Sequence, residues 1–119
     1  MAARGEAFNR LVAVWNGEAE VADLDRLVAP AYVGHISCRD RDLVRLKADI
    51  VAYRAATPNV VFCVEHQFGE GDYLATRLTA QALDTSRRSG ATICGMNISR
   101  WQNELLAEEW AVWEPGAVT

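Results

Sequence analysis

Four side chains carry groups that could move a proton or steady the charge it leaves behind: Glu114, His35, Arg77 and Asn97. Glu114 shares a strand face with Trp110 and Val112, since alternate residues of an extended chain point the same way. In an apolar cup its neutral form is favoured, which suits acid/base work near neutral pH; at a fraying strand end it is a solvated carboxylate. His35 titrates near neutral pH and can donate or accept, in proton transfer or in a hydrogen bond to backbone. Arg77 lies in a polar row with Thr79 and Gln81 that could hold an oxyanion, carboxylate or phenolate, or serve an ion pair with a neighbouring strand. Asn97 can hold a ligand, but an amide is no general base. Arg100, on the opposite strand face from Asn97, reads as outer-face structure. Trp15, Tyr53, Phe62, Met96 and Trp110 offer the lining for a flat apolar ligand.

These groups need elements to position them. Phe8, Leu11, Val12 and Trp15 form one stripe, predicting a helix over 7–16 that stops at Asn16-Gly17. A second short helix is expected over about 19–28, with Val21, Leu24, Leu27 and Val28 inward and Pro30 preventing continuation. Tyr32, Val33 and Ile36 favour a strand over 31–36. A third helix fits about 42–56, with Leu43, Leu46, Ile50 and Tyr53 at helical spacing and Asp40 or Asp42 able to accept from its first amides. After Pro58 the period changes to two. A strand from Val60, a hairpin turn at Gly69-Glu70-Gly71-Asp72 and a strand over 73–83 follow. A polar connection with Arg87-Arg88 at its tip then leads to strands over 91–101 and 105–114, before a loose tail, Pro115 to Thr119. Helices first and adjacent strands afterwards make an α+β domain with a mainly antiparallel sheet. Three helices cover one face of a sheet of four long strands; the other face must curl around a space or meet a second subunit.

Composition narrows the partners. The chain has 119 residues, half of them apolar, and a formal charge of −4. That is one domain with a real core, and its acidity argues against nucleic acid and anionic membranes. No apolar run is long enough to span a bilayer and no signal peptide is visible, so a cytoplasmic location is expected. Cys38, Cys63 and Cys94 lack any CxxC spacing, and His35 and His66 stand far apart. The thiols read as reduced and mostly buried, and neither set of residues makes a metal site.

Several motifs together resemble the SnoaL-like polyketide cyclase family of the NTF2-like superfamily. Val14-Trp15-Asn16-Gly17-Glu18 and the run from Leu27 through Pro30, Tyr32 and Val33 to His35 are similar to its opening. Ala55-Ala56-Thr57-Pro58-Asn59 is similar to the "AFPD" that closes its third helix. Glu70-Gly71-Asp72-Tyr73-Leu74-Ala75-Thr76-Arg77 matches its "EGD.VA.R" turn and strand. Gly95 to Trp101 and Glu108 to Glu114 resemble its last two strands. The resemblance covers nearly the whole chain. It implies a cone: three N-terminal helices packed in a strongly curved sheet, open at one end into an apolar pocket, with a homodimer formed through the outer sheet face.

The resemblance also implies roles. Cyclases of this kind place an aspartate at the position of Glu114 as the acid/base of an intramolecular aldol closure, and often a histidine at the position of His35. The family keeps an arginine at Arg77, and Asn97 stands where many relatives have histidine. The expectation is a cofactor-free enzyme, a lyase or isomerase, performing aldol-type cyclisation or isomerisation on a small polyketide-like or polycyclic carbonyl compound. Glu114 and His35 would be catalytic, and Arg77 or Asn97 would steady negative charge. The alternatives are a non-catalytic binding or interaction member of the fold and an epoxide hydrolase-like hydrolase. For the latter, Arg77 and Glu114 supply part of an Asp–Arg–Asp relay, but Thr79 stands where the second Asp is wanted.

Overall fold

The computed structural model describes residues 2–82 and 92–114; the Arg87-Arg88 tip and the tail from Pro115 lie outside them. The order is α1 (Ala2–Trp15), a short 3₁₀ helix (Val21–Arg26), β1 (Val28–Ile36), β2 (Arg39–Arg41), α2 (Leu43–Ala56), β3 (Val60–Glu70), β4 (Tyr73–Ala82), β5 (Thr92–Gln102) and β6 (Leu105–Trp113). One sheet runs β2-β1-β6-β5-β4-β3, antiparallel except where β1 lies parallel to β6. The fold is α+β with a curved six-stranded sheet. No helix of the described residues is long and apolar enough to cross a membrane.

Two expectations are corrected. The three helical segments are not three N-terminal helices: the second is a single 3₁₀ stretch, and the β1–β2 hairpin intervenes before α2. Only Leu24 of that stretch is fully buried, and the chain becomes extended at Val28. Pro30 is tolerated within β1 because the β1–β6 register breaks between Val28 and Val33, so no ladder bond is asked of it. The thiols, expected to be mostly buried, are not: Cys38 is exposed in the β1–β2 turn, and Cys63 and Cys94 are only partly buried.

Elsewhere local chemistry sets the boundaries. Gly17, at φ +80°, ends α1; its N–H donates to Val14 O and the Glu18 N–H to Ala13 O, closing the last carbonyls. Asp42 caps α2 by accepting from the Arg45 N–H at 2.9 Å. Gly71, also at positive φ, turns β3 into β4, and Asn103 and Glu104, both at positive φ, turn β5 into β6. Helices α1 and α2 lay Phe8, Leu11, Leu46 and Ile50 on the inner sheet face around Leu74 and Trp101.

Strand β3 is a sheet edge, and Asn16 closes part of it. Its Nδ2 donates to Phe62 O at 2.9 Å and its Oδ1 accepts from the Phe62 N–H at 2.8 Å, as a neighbouring strand would. Asn16→Ala is expected to cost about 1–2 kcal/mol by stranding both groups. Thermal denaturation should register this as a Tm lower by roughly 4–8 °C.

Candidate functional site

A cavity of about 330 Å³ lies between the two helices and the inner sheet face. One end is aromatic. Trp15, Tyr53 and Phe62 pack with ring centroids 5.4–5.8 Å apart, and Trp113 meets Phe62 edge-on at 5.5 Å. Gly95 makes room for Trp113: a Cβ there would fall within 2.6 Å of the indole.

The other end is polar and buried. Glu109, on β6, is 3% exposed and lines the cavity with Asn97 and Arg41. Its Oε1 accepts from Asn97 Nδ2 at 2.8 Å; its Oε2 accepts from the Tyr32 hydroxyl and stands 3.4 Å from Arg41 Nη2. Arg41 also donates to the Tyr32 oxygen at 3.2 Å and to Asp49 at 3.3 Å, with its guanidinium over the Trp15 ring at 5.6 Å. Such a set holds a buried carboxylate that would otherwise be prohibitively costly. Burial, reinforced by the neighbouring Glu109 charge, pushes the Tyr32 phenol far above its ordinary range, so it stays a neutral donor. Burial opposes the Arg41 charge, but Tyr32 and Glu109 together outweigh it and the guanidinium is held in its charged form.

Of the residues singled out from the sequence, Trp15, Tyr53, Phe62 and Asn97 come together in this cavity. His35, Glu114, Arg77, Met96 and Trp110 do not. The physical reason on β6 is a bulge. Trp101 pairs with Leu106, but Arg100 pairs with Glu108, so Ala107 is an extra residue and the alternation slips by one. Strict alternation from Leu106 would turn Trp110, Val112 and Glu114 inward; the bulge turns Glu109, Ala111 and Trp113 inward instead. Glu114 is exposed and accepts from the Cys94 N–H at 2.6 Å, pinning the end of β6 to β5. Arg77 is exposed on the outer face beside Cys94 Sγ at 3.4 Å, and Met96 is 53% exposed there. Arg100 also lies on that face, paired with Glu108 at 3.1 Å.

Glu109, Arg41 and Tyr32 were not singled out as polar site residues. Tyr32 was legible, because Tyr32, Gly34 and Ile36 share the inner face of β1. Glu109 required the bulge, and Arg41 sits on a three-residue strand without any periodic signal.

His35, stacked on Trp110 at 5.5 Å, bonds Asp40 through Nδ1 at 2.8 Å and Glu108 through Nε2 at 2.7 Å. The hydrogen bond to Glu108, helped by Asp40, raises its pKa above 6.5, and the same bond to His35 lowers that of Glu108 below 4.5. A raised histidine pKa stabilises the fold below 6.5 and ceases to do so as pH rises through the folded value; a lowered carboxyl pKa stabilises above 4.5 and ceases to as pH falls. The pair therefore contributes most between those limits. The Tm advantage of the wild type over His35→Gln is expected to be largest there and to shrink towards alkaline pH; a difference independent of pH would refute it.

Comparison with known proteins adds the family. The model of the SnoaL-like polyketide cyclase family matches residues 6–118. IdmH, a polyketide cyclase candidate from Streptomyces antibioticus, is 18% identical with a TM-score of 0.84, over 97% of this chain and 94% of that one. An isomerase candidate of the SnoaL-like family from Agrobacterium tumefaciens has a TM-score of 0.80 at 14% identity, over 96% and 99% of the two chains. AclR, a hydroxylase candidate from Streptomyces galilaeus, has a TM-score of 0.81 at 18% identity, over 98% and 78%. At these identities the likeness to solved structures is one of fold. No curated protein sequence matches the chain.

Proposed function

The chain belongs to the SnoaL-like polyketide cyclase family, and from that premise we propose that it is a cofactor-free enzyme performing acid/base chemistry on a small apolar carbonyl compound. The observation that carries this reading is the nearly wholly buried Glu109 carboxylate on the wall of an apolar cavity, beside the Arg41 guanidinium. A ketone seated among the aromatic rings would give up an α-proton to Glu109, and Arg41 would receive the negative charge that develops on its oxygen. Returned to another carbon, the proton completes an isomerisation. If the enolate carbon instead attacks a second carbonyl, the new alkoxide takes the proton and a ring is closed. Tyr32 and Asn97 are positioning residues: they donate to Glu109 and fix its orientation.

The test is exchange in D₂O. Incubation with a two-ring ketone such as α-tetralone is expected to place deuterium at the carbon next to the carbonyl faster than buffer does. Binding without exchange would leave a ligand-binding protein. A second reading rests on one observation: Arg41 lies between two carboxylates, Glu109 at 3.4 Å and Asp49 at 3.3 Å. That carboxylate–arginine–carboxylate order suits the hydration of an epoxide, in which Glu109 takes a proton from water, the hydroxide opens the ring at carbon and the alkoxide is protonated. Incorporation of ¹⁸O from labelled water into a diol product separates the two chemistries.

The outer sheet face supports the expected homodimer as a further part of this proposal. Phe68, Met96, Ile98 and Val112 are each close to half exposed or more, and they are brought together by the strand register. Continuous apolar surface of this kind favours a second copy. Sedimentation is expected to give a dimer that Ile98→Lys converts to monomer.

A further inference from the structure

Asn97 belongs to the cavity wall and is 6% exposed. Its Nδ2 donates to Glu109, while its enclosed Oδ1 accepts from no described residue. A buried carbonyl oxygen without a donor is rare in folded proteins and marks a place where a partner is due. Turning the amide round gives no relief. Glu109 is ion-paired with Arg41 at 3.4 Å and so is a carboxylate whose two oxygens both accept, and only the NH₂ end can meet it. The neighbours of Asn97 in register do not satisfy it: Ala111 has no side-chain donor, and the Thr76 hydroxyl, which accepts from Gln67 Nε2 at 3.4 Å, makes no hydrogen bond to Asn97 Oδ1.

Resting on the acid/base reading only for where the ligand sits, we propose that Asn97 selects ligands bearing a free hydroxyl near the carbonyl, through an O–H that donates to its Oδ1. Arg41, a donor, and Asn97, whose Oδ1 is the acceptor left without a partner, line this corner of the cavity beside Glu109. A hydroxy-ketone satisfies both with its carbonyl oxygen and its hydroxyl. A methyl ether leaves the acceptor unpaired and crowds it, and the unsubstituted ketone leaves it unpaired. This is a demand on the ligand that a purely apolar cavity would not make.

The experiment compares α-tetralone with its ring-hydroxy and ring-methoxy derivatives, following quenching of tryptophan fluorescence, since Trp15 and Trp113 form part of the wall. At least one hydroxy-tetralone is expected to bind about 10-fold more tightly than its methoxy counterpart, a difference of the size one satisfied buried acceptor supplies. Asn97→Ala should bring that ratio to within about 3-fold, as truncation removes the acceptor. Asn97→Ser, which keeps a hydroxyl to donate to Glu109 while withdrawing the amide oxygen, serves if the alanine variant fails to fold. Equal binding of every hydroxy/methoxy pair by the wild type, or a ratio that survives in either variant, overturns the inference. Hydroxyl preference without deuterium exchange overturns the acid/base reading and leaves this one standing. No binding by any of the ketones overturns both.

Discussion

Glu109→Gln is expected to reduce α-proton exchange by roughly 10²–10⁴-fold while the protein stays folded and continues to bind ketone. The amide keeps an oxygen to accept from Tyr32 and Arg41 but cannot take a proton. Its NH₂ group would face Asn97 Nδ2, and the Asn97 amide can turn to meet it with Oδ1, which has no donor in the wild type. Arg41 loses its charged partner at 3.4 Å but retains Asp49 at 3.3 Å. The stability cost should therefore fall to about 1–3 kcal/mol, below the usual penalty for breaking a buried pair. Exchange rates and urea denaturation on the same preparation separate the two effects. Wild-type exchange rates in the variant would remove Glu109 as the base, whatever the stability.

Gly34→Ala should be among the most damaging single-methyl additions at the site. Gly34 lies on the inner face of β1, where the Tyr32 ring crosses it: a Cβ would overlap the Tyr32 hydroxyl, stand 2.9 Å from Cζ and come within 3.2 Å of Arg41 Cγ. Its φ is not in the left-handed region, so the backbone accepts alanine and the cost is steric. Overpacking of this kind costs about 1–3 kcal/mol, and displacement of the phenol from Glu109 should slow exchange roughly 100-fold by loosening the carboxylate. Adding Tyr32→Phe removes the atom that clashes most. The double variant is expected to be less destabilised than the sum of the two single ones, a coupling that unfolding free energies of the four proteins would reveal. Simple additivity would mean that Gly34 is needed for some other reason.

Much of the scaffold is written locally. The α1 stripe of Phe8, Leu11 and Val12, its Asn16-Gly17 stop, the Asp42 cap of α2 and the change to a two-residue period after Pro58 each depend on neighbours a few residues apart, and all are realised. The aromatic half of the cavity follows from the same helices, which carry Trp15 and Tyr53 inward. Local reading reached its limit at the second helical segment, where Val21, Leu24 and Leu27 are compatible with a helix but the pairing of Val28 with Leu106 draws the chain into a strand.

Sequence alone determined the α+β class, the principal helix and strand spans and the inward placing of Trp15 and Tyr53 on their helices, because helix stripes, caps and turn residues act over short distances. Tertiary structure decided which face of β6 looks inward and hence that Glu109 rather than Glu114 is the buried carboxylate. A single extra residue at Ala107, visible only once β5 and β6 are paired, reverses every side chain beyond it. It likewise decided that Arg41, Tyr32 and Asn97 meet that carboxylate, since β2, β1 and β5 reach one corner only when β1 is laid parallel to β6, a pairing between residues more than seventy positions apart.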